Sequence, residues 1–232
     1  MTLEDIVEIA YPQQPHCPTI LLLDVSGSMV IGDKISQLNE GIRIFKEEIE
    51  QDELARKRVD VSVITFGSKV EVAHDFSSVE DFNPPELIAD GLTPMGDAIK
   101  KTLDILEKRK NEYKKEGIDY YRPWIFLITD GEPTDMSEGD DKWNEIVSEI
   151  HKGEDEGRFL FFAVGVDSAD METLKKISPP ARTPIKLKEN HFKEMFLWLS
   201  KSQTKVSAST MGEQVILDDP FGTNGWGEIP SI

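Results

Sequence analysis

With a single cysteine, Cys17, the 232-residue chain can form no internal disulfide, which excludes a disulfide-stapled secreted scaffold and leaves a buried, inert thiol. Basic residues are scarce: 26 Lys and Arg stand against 44 Asp and Glu, a formal net charge of −18. Basic surfaces supply most of the affinity for nucleic acids and anionic membranes, so no nucleic acid and no membrane is expected as partner. The excess suits a protein that binds cations or basic molecules. No apolar run approaches the roughly 20 residues that a bilayer span needs. The first stretch, MTLEDIVEIAYPQQPHCP, has neither a basic n-region nor an apolar h-region, so no signal peptide is visible and a cytoplasmic location is the expectation. His16, His74, His151 and His191 are scattered without ligand spacing, which leaves them surface or structural roles.

What is present reads as one soluble domain with a tail, 38% apolar and 30% charged, long enough to bury a substantial core. Ile20–Leu23 is a fully apolar run, as a central strand would be. Ile35, Leu38, Ile42, Phe45 and Ile49 recur at helical spacing and predict a helix from Lys34 to about Glu50. Val59–Phe66 and Lys69–Ala73 predict an antiparallel hairpin about Gly67-Ser68. Thr93-Pro94 resembles a helix start with Thr as N-cap and Pro at the first position, and the helix runs to about Lys115. Its lysine-rich second half reads as a solvated face. Further strands are predicted at Trp124–Thr129, at Phe159–Val166 and, as an edge, at Pro184–Leu187. Helices are predicted around Trp143–Ile150, from Asp170 to about Ile177, and along Phe192, Met195, Phe196 and Leu199.

Strands alternating with helices, two of them without internal alternation, predict an α/β doubly wound, mostly parallel sheet with one antiparallel edge and helices on both faces. The domain is expected over 19–203, after a lead-in over 1–18. From 204 to 232 the sequence becomes a Gly/Pro/Asp-rich tail, expected to pack back on the domain through Phe221 and Trp226.

In a doubly wound sheet a ligand sits beyond the carboxyl ends of the strands, where strand order reverses. The run TILLLDVSGSM ends its strand at Asp24 and then presents Ser26 and Ser28, with Gly27 between them to let both hydroxyls turn inward. The strand in FLITDGEPTD ends at Asp130, and Thr93 begins the helix of the intervening crossover. If the two strands are neighbours, two carboxylates and three hydroxyls face one crevice. That all-oxygen set suits a hard cation, Mg²⁺ or Mn²⁺ ahead of Ca²⁺. If the carboxylates act through water, the cation keeps much of its charge, and an Asp or Glu from a protein partner would complete it. By itself DVSGS could also be a strand-to-loop turn whose polar groups bond local amides. Asp97 reads as a helix N-terminal charge, and Glu132 and Asp135 as rim residues.

DVSGSM, GLTPMGDAI and LITDGEPTD resemble the three parts of the metal-ion-dependent adhesion site of von Willebrand factor A domains, the match running from about Thr19 to Leu199. The resemblance implies a Rossmann-like fold without catalysis. It implies Ser26, Ser28 and Thr93 as hydroxyl ligands and Asp24 and Asp130 as carboxylates acting mainly through water. The phrases SGSM, DKISQLNEGI and VSVITFGS are similar to the bacterial stand-alone, tellurium-resistance-associated (TerY-like) members, which implies an interaction module tied to stress-response and phosphorylation partners. Asp218 or Asp219 of the tail is a candidate intramolecular ligand. The alternative is a Mg²⁺-dependent phosphoryl-transfer enzyme on a similar sheet. It is disfavoured because Ser26 stands where a second carboxylate would be needed, no lysine lies close to the motif, and −18 opposes an anionic substrate. The chain has no G-x-G-x-x-G fingerprint, no Walker lysine and no G-x-S-x-G elbow.

Overall fold

Apolar side chains that alternate to opposite sides of a strand can all be buried only if both faces of the sheet are covered, and that is what the computed structural model shows. It describes residues 9–189, 191–221 and 225–228; of the lead-in, residues 1–8 lie outside them. The strands are β1 Cys17–Asp24, β2 Val59–Phe66, β3 Val70–Ser78, β4 Trp124–Thr129, β5 Leu160–Gly165, β6 Ile185–Leu187 and β7 Gly227–Glu228. The helices are α1 Lys34–Glu50, α2 Ala55–Arg58, α3 Met95–Glu116, α4 Asp141–Asp155, α5 Met171–Ile177 and α6 Phe192–Ala208. A 3-10 segment, Gly27–Asp33, joins β1 to α1.

Sheet order is β3-β2-β1-β4-β5-β6-β7, parallel from β2 to β6 with an antiparallel strand at each edge. One edge is the predicted hairpin, in which β3 runs on to Ser78. The other was not predicted. β6, expected to be an edge, is itself covered by β7, two residues of the tail. A two-residue strand carries no periodicity of its own and forms only because the tail is anchored beside it. Trp226 is buried against the Trp198 ring, and the Trp198 indole N–H donates to the Asp218 carbonyl at 2.7 Å.

Leu21, Leu23, Val61, Val63, Phe126 and Phe162 face α1 and α6, while Ile20, Leu22, Ile64, Ile125, Leu127 and Phe161 face α3, α4 and α5. Two close-packed cores therefore sandwich the sheet and hold its strand ends in place. Burial of Cys17 at the start of β1 pushes its thiol pKa well up, so the thiol stays protonated and unreactive.

Candidate functional site

β1 and β4 are parallel neighbours, with Leu23 beside Ile128, so Asp24 and the Thr129–Asp130 pair leave the sheet side by side. Asp24 is buried. Its Oδ1 accepts from the Ser26 amide at 2.8 Å, and its Oδ2 from the Thr129 hydroxyl at 2.5 Å. Burial raises the Asp24 pKa, while the bonds from Ser26 and Thr129 pull it back only in part. Ser26 Oγ lies 3.0 Å from Ser28 Oγ, and Ser28 Oγ–H donates to Asp130 Oδ1 at 2.6 Å. Asp24, Ser26, Ser28 and Asp130 thus form one continuous oxygen cluster. Thr129, absent from the sequence expectation, orients Asp24; its place as the last residue of an apolar strand was the available signal.

Thr93 joins the cluster at Gly131. A β-carbon on Gly131 would lie 3.3 Å from Thr93 Oγ1 and 3.9 Å from Asp24 Oδ2, so both oxygens converge on that bare backbone. The expected N-cap role of Thr93 is corrected. Pro94 occupies the cap position of α3, and the caps come from a distant loop: Asp135 accepts from the amides of Gly96 at 3.0 Å and Asp97 at 2.8 Å. Thr134 holds the Thr93 backbone from both sides, accepting from its amide at 3.1 Å and donating to its carbonyl at 2.9 Å. The Thr93 hydroxyl is left uncommitted among the described residues. Lys142 reaches both Asp97, at 2.7 Å, and Asp135, at 2.6 Å, and fastens the arrangement.

Gly27 does not do what the sequence suggested. Its φ is not positive, and a β-carbon there would meet Gly91 O at an ordinary 3.6 Å; the turn is held by its amide, 3.0 Å from the Gly91 carbonyl. The obligatory glycine is Gly91, with φ of 84° and a Ser68 backbone nitrogen only 2.3 Å from where its β-carbon would be.

The expectation that no lysine stands near the motif is also corrected. Lys34, first residue of α1, is buried with its ammonium in an ion pair with Asp130 Oδ2 and 3.5 Å from Asp167 Oδ2. A cation at a helix N-terminus opposes the macrodipole, so Lys34 needs carboxylates to hold it there. That placement at the start of a helix was the signal in the sequence.

The remaining expectations fall elsewhere. Asp218 pairs with Lys205 at 2.6 Å, and Asp219 accepts from the Phe221 amide at 2.9 Å, so neither tail carboxylate reaches the cluster. The lysine-rich half of α3 is not wholly solvated. Arg109 is buried and donates to Asp60 at 2.7 Å, joined there by Tyr113 Oη at 2.5 Å and His16 at 3.1 Å. This network sits at the opposite end of the strands and gives His16 a structural role. Asp97 takes its expected place in the first turn of α3.

No group of three or more His, Cys, Asp or Glu side chains able to hold a metal comes together among the described residues. The cluster offers two carboxylates and three hydroxyls, with no His or Cys to serve as base or nucleophile. Its Asp130 Oδ2 is buried and takes no hydrogen bond beyond the Lys34 ion pair. Oxygen donors of this kind, with unspent capacity, fit a hard cation. No helix among the described residues is long and apolar enough to cross a membrane.

The chain is similar to several solved structures, all at identities that speak for fold alone. The pilus adhesin SpaC from Lactobacillus rhamnosus GG matches with a TM-score of 0.63 at 15% identity, over 85% of this chain and 32% of that one. The vWF domain of the type V pili tip protein Mfa5 from Porphyromonas gingivalis matches at 0.58 and 10%, over 87% and 99%. Proximal thread matrix protein 1 from the mussel byssus, with a zinc-occupied MIDAS motif, matches at 0.52 and 19%, over 82% and 48%. The chain spans about a third of the SpaC adhesin and half of the byssus protein. No curated protein sequence matches it. The family model described as the von Willebrand factor type A domain matches residues 20–196, most of the sheet and its helices, and the chain belongs to that family.

Proposed function

We propose that the chain is a non-catalytic, metal-dependent protein-interaction module. Ser26, Ser28 and Thr93 would hold a divalent cation through their hydroxyls, with Asp24 and Asp130 acting mainly through water. The cation, Mg²⁺ or Mn²⁺ ahead of Ca²⁺, supplies a Lewis-acid docking point for an Asp or Glu of a protein partner. The observation that carries the reading is the uncommitted Thr93 hydroxyl facing the Asp24–Ser26–Ser28–Asp130 cluster while Thr134 and Asp135 take over the local bonding. The chain's own groups do the positioning. Thr129 orients Asp24, and Ser28 links the β1 loop to Asp130.

A bacterial, cytoplasmic, tellurium-resistance-like setting with stress-response or phosphorylation-linked partners belongs to the same reading, supported by the short phrases shared with that group. So does a division into lead-in, domain over 19–203 and tail. The alternative, Mg²⁺-dependent phosphoryl transfer, gains a nearby cation in Lys34. That ammonium is already held by Asp130 and Asp167, and Ser26 still replaces the second carboxylate.

Titration calorimetry with Mg²⁺, Mn²⁺ and Ca²⁺ tests the reading. Binding is expected in the wild type and lost in Asp24→Ala and Ser26→Ala with the fold retained. No binding of any of these ions would refute it. Turnover of a generic phosphate ester, lost in Asp24→Asn, would favour the alternative.

A further inference from the structure

The Asp130 carboxylate is already committed on both oxygens. Its Oδ1 accepts from the Ser28 hydroxyl at 2.6 Å, its Oδ2 is held by the Lys34 ammonium, and its side chain is fully buried. A divalent cation that draws on the same carboxylate brings two further positive charges beside an ammonium, and like charges repel strongly where water is scarce. The ammonium then needs a second carboxylate to receive it, because an uncompensated buried charge is costly.

Asp167 stands in that position. Its Oδ2 lies 3.5 Å from Lys34 Nζ, and its side chain is 64% exposed where those of Lys34 and Asp130 are 7% and 0%. Lys34 is its one ion-pair partner among the described residues. The Val166 amide donates to Thr129 O at 2.8 Å, which pins the residue before Asp167 to the strand end that carries Asp130. There is also room for the side chain to turn: Lys34 and Asp167 share the wall of a cavity of about 360 Å³ with Gln37 and Phe192. The other charges on that wall, Lys186, Lys188, Glu189 and Glu228, balance in sign. Three non-glycine residues have positive φ among the described residues, and two of them bracket this lysine: Asp33, at 60°, precedes it, and Asp167, at 52°, faces it. Such backbone is unfavourable for a residue with a side chain, and a fold that keeps it at one spot is holding a group in a set place.

We propose that Lys34 serves the metal-free site as a stand-in cation and that Asp167 is its receiver, the ammonium passing from Asp130 to Asp167 as a divalent cation binds. Asp130 is then neutralised in both states, by the lysine in one and by the metal in the other. The displaced ammonium ends in a pair that water reaches. Asp167 is a positioning residue, acting on the metal through Lys34. The inference rests on the metal-binding reading above and adds how that site changes between its two states.

The test uses the full chain with Mg²⁺ alone as probe. Asp167→Asn keeps a residue type that tolerates left-handed backbone, and by calorimetry it should bind Mg²⁺ about fivefold more weakly, the size of one partly exposed ion pair. Introduced into Lys34→Met, the same substitution should change the affinity by less than about twofold, because no ammonium is left to receive. A second readout follows the lysine itself by acetylation and peptide mass spectrometry, with the exposed Lys108 as internal reference. Lys34 should be protected in chelator and react faster in saturating Mg²⁺. Unchanged affinity in Asp167→Asn, an equal loss with and without Lys34, or Lys34 labelling that stays level or falls on adding Mg²⁺ would each overturn the exchange and leave the metal reading standing. Failure of the wild type to bind Mg²⁺ would overturn the metal reading and the exchange with it.

Discussion

Replacing Lys34 by Met should tighten Mg²⁺ binding while weakening the metal-free fold. The Lys34 ammonium lies in contact with Asp130 Oδ2, and Asp130 Oδ1 accepts from Ser28. At an assumed separation of about 6 Å, a +2 and a +1 charge repel by about 1.4 kcal/mol at the dielectric of water and about 5.5 kcal/mol at an effective dielectric of 20, so a divalent cation held beside Asp130 would be opposed by that ammonium. Removing the ammonium should therefore lower the Kd for Mg²⁺ by at least about tenfold. The same change strands a buried carboxylate, and breaking a buried pair from one side costs about 3–5 kcal/mol. Metal-free Lys34→Met should melt below the wild type and recover more than the wild type does on adding Mg²⁺, as ligand linkage requires. Lys34→Arg keeps the charge and should bind Mg²⁺ as weakly as the wild type. Calorimetry at fixed pH and salt gives the affinities, and circular dichroism in chelator gives the stabilities. A folded Lys34→Met protein whose Mg²⁺ affinity is unchanged or weaker than wild type would refute the electrostatic argument.

Three further outcomes are expected. Asp60→Asn removes the buried charge opposite Arg109, leaving it only Glu112 at 3.3 Å, and should cost about 3–5 kcal/mol in denaturant melts. Burial raises the Asp60 pKa, but the hydrogen bond and charge of His16 and the charge of Arg109 outweigh it, so the carboxyl titrates below its ordinary 3.8. The Asp60 contribution is then present above that pH and lost as pH falls below it, and the stability gap between wild type and Asp60→Asn should close in melts taken downward from pH 5. Asp135→Ala removes both caps from α3 and should cost about 1 kcal/mol, with a weaker Mg²⁺ affinity because the helix start that carries Thr93 is loosened; a loss of stability with metal affinity intact would show that the cap acts on the helix alone. Trp226→Ala strips a buried ring from Trp198 beside β7 and should cost about 3–5 kcal/mol by thermal unfolding, whereas a change below about 1 kcal/mol would show that the tail is only loosely placed.

The sequence by itself determined the parallel core of the sheet, because apolar runs such as Ile20–Leu23 and Trp124–Thr129 report their own burial, and helical spacing in α1 reports which face each turn buries. It also located the oxygen cluster, since Asp24 and Asp130 end adjacent strands and a doubly wound sheet has one crevice at its carboxyl ends. Only the tertiary structure decided what surrounds that cluster. Asp135, not Thr93, caps α3; Lys34 sits on Asp130; and two residues of the tail close the sheet beyond β6. Asp218 and Asp219, plausible ligands by composition, point to other partners. Periodicity describes how a segment meets the core through its own neighbours in sequence. A cap, an ion pair or an edge strand depends on where a distant segment returns, and that is settled by the packing of the whole chain.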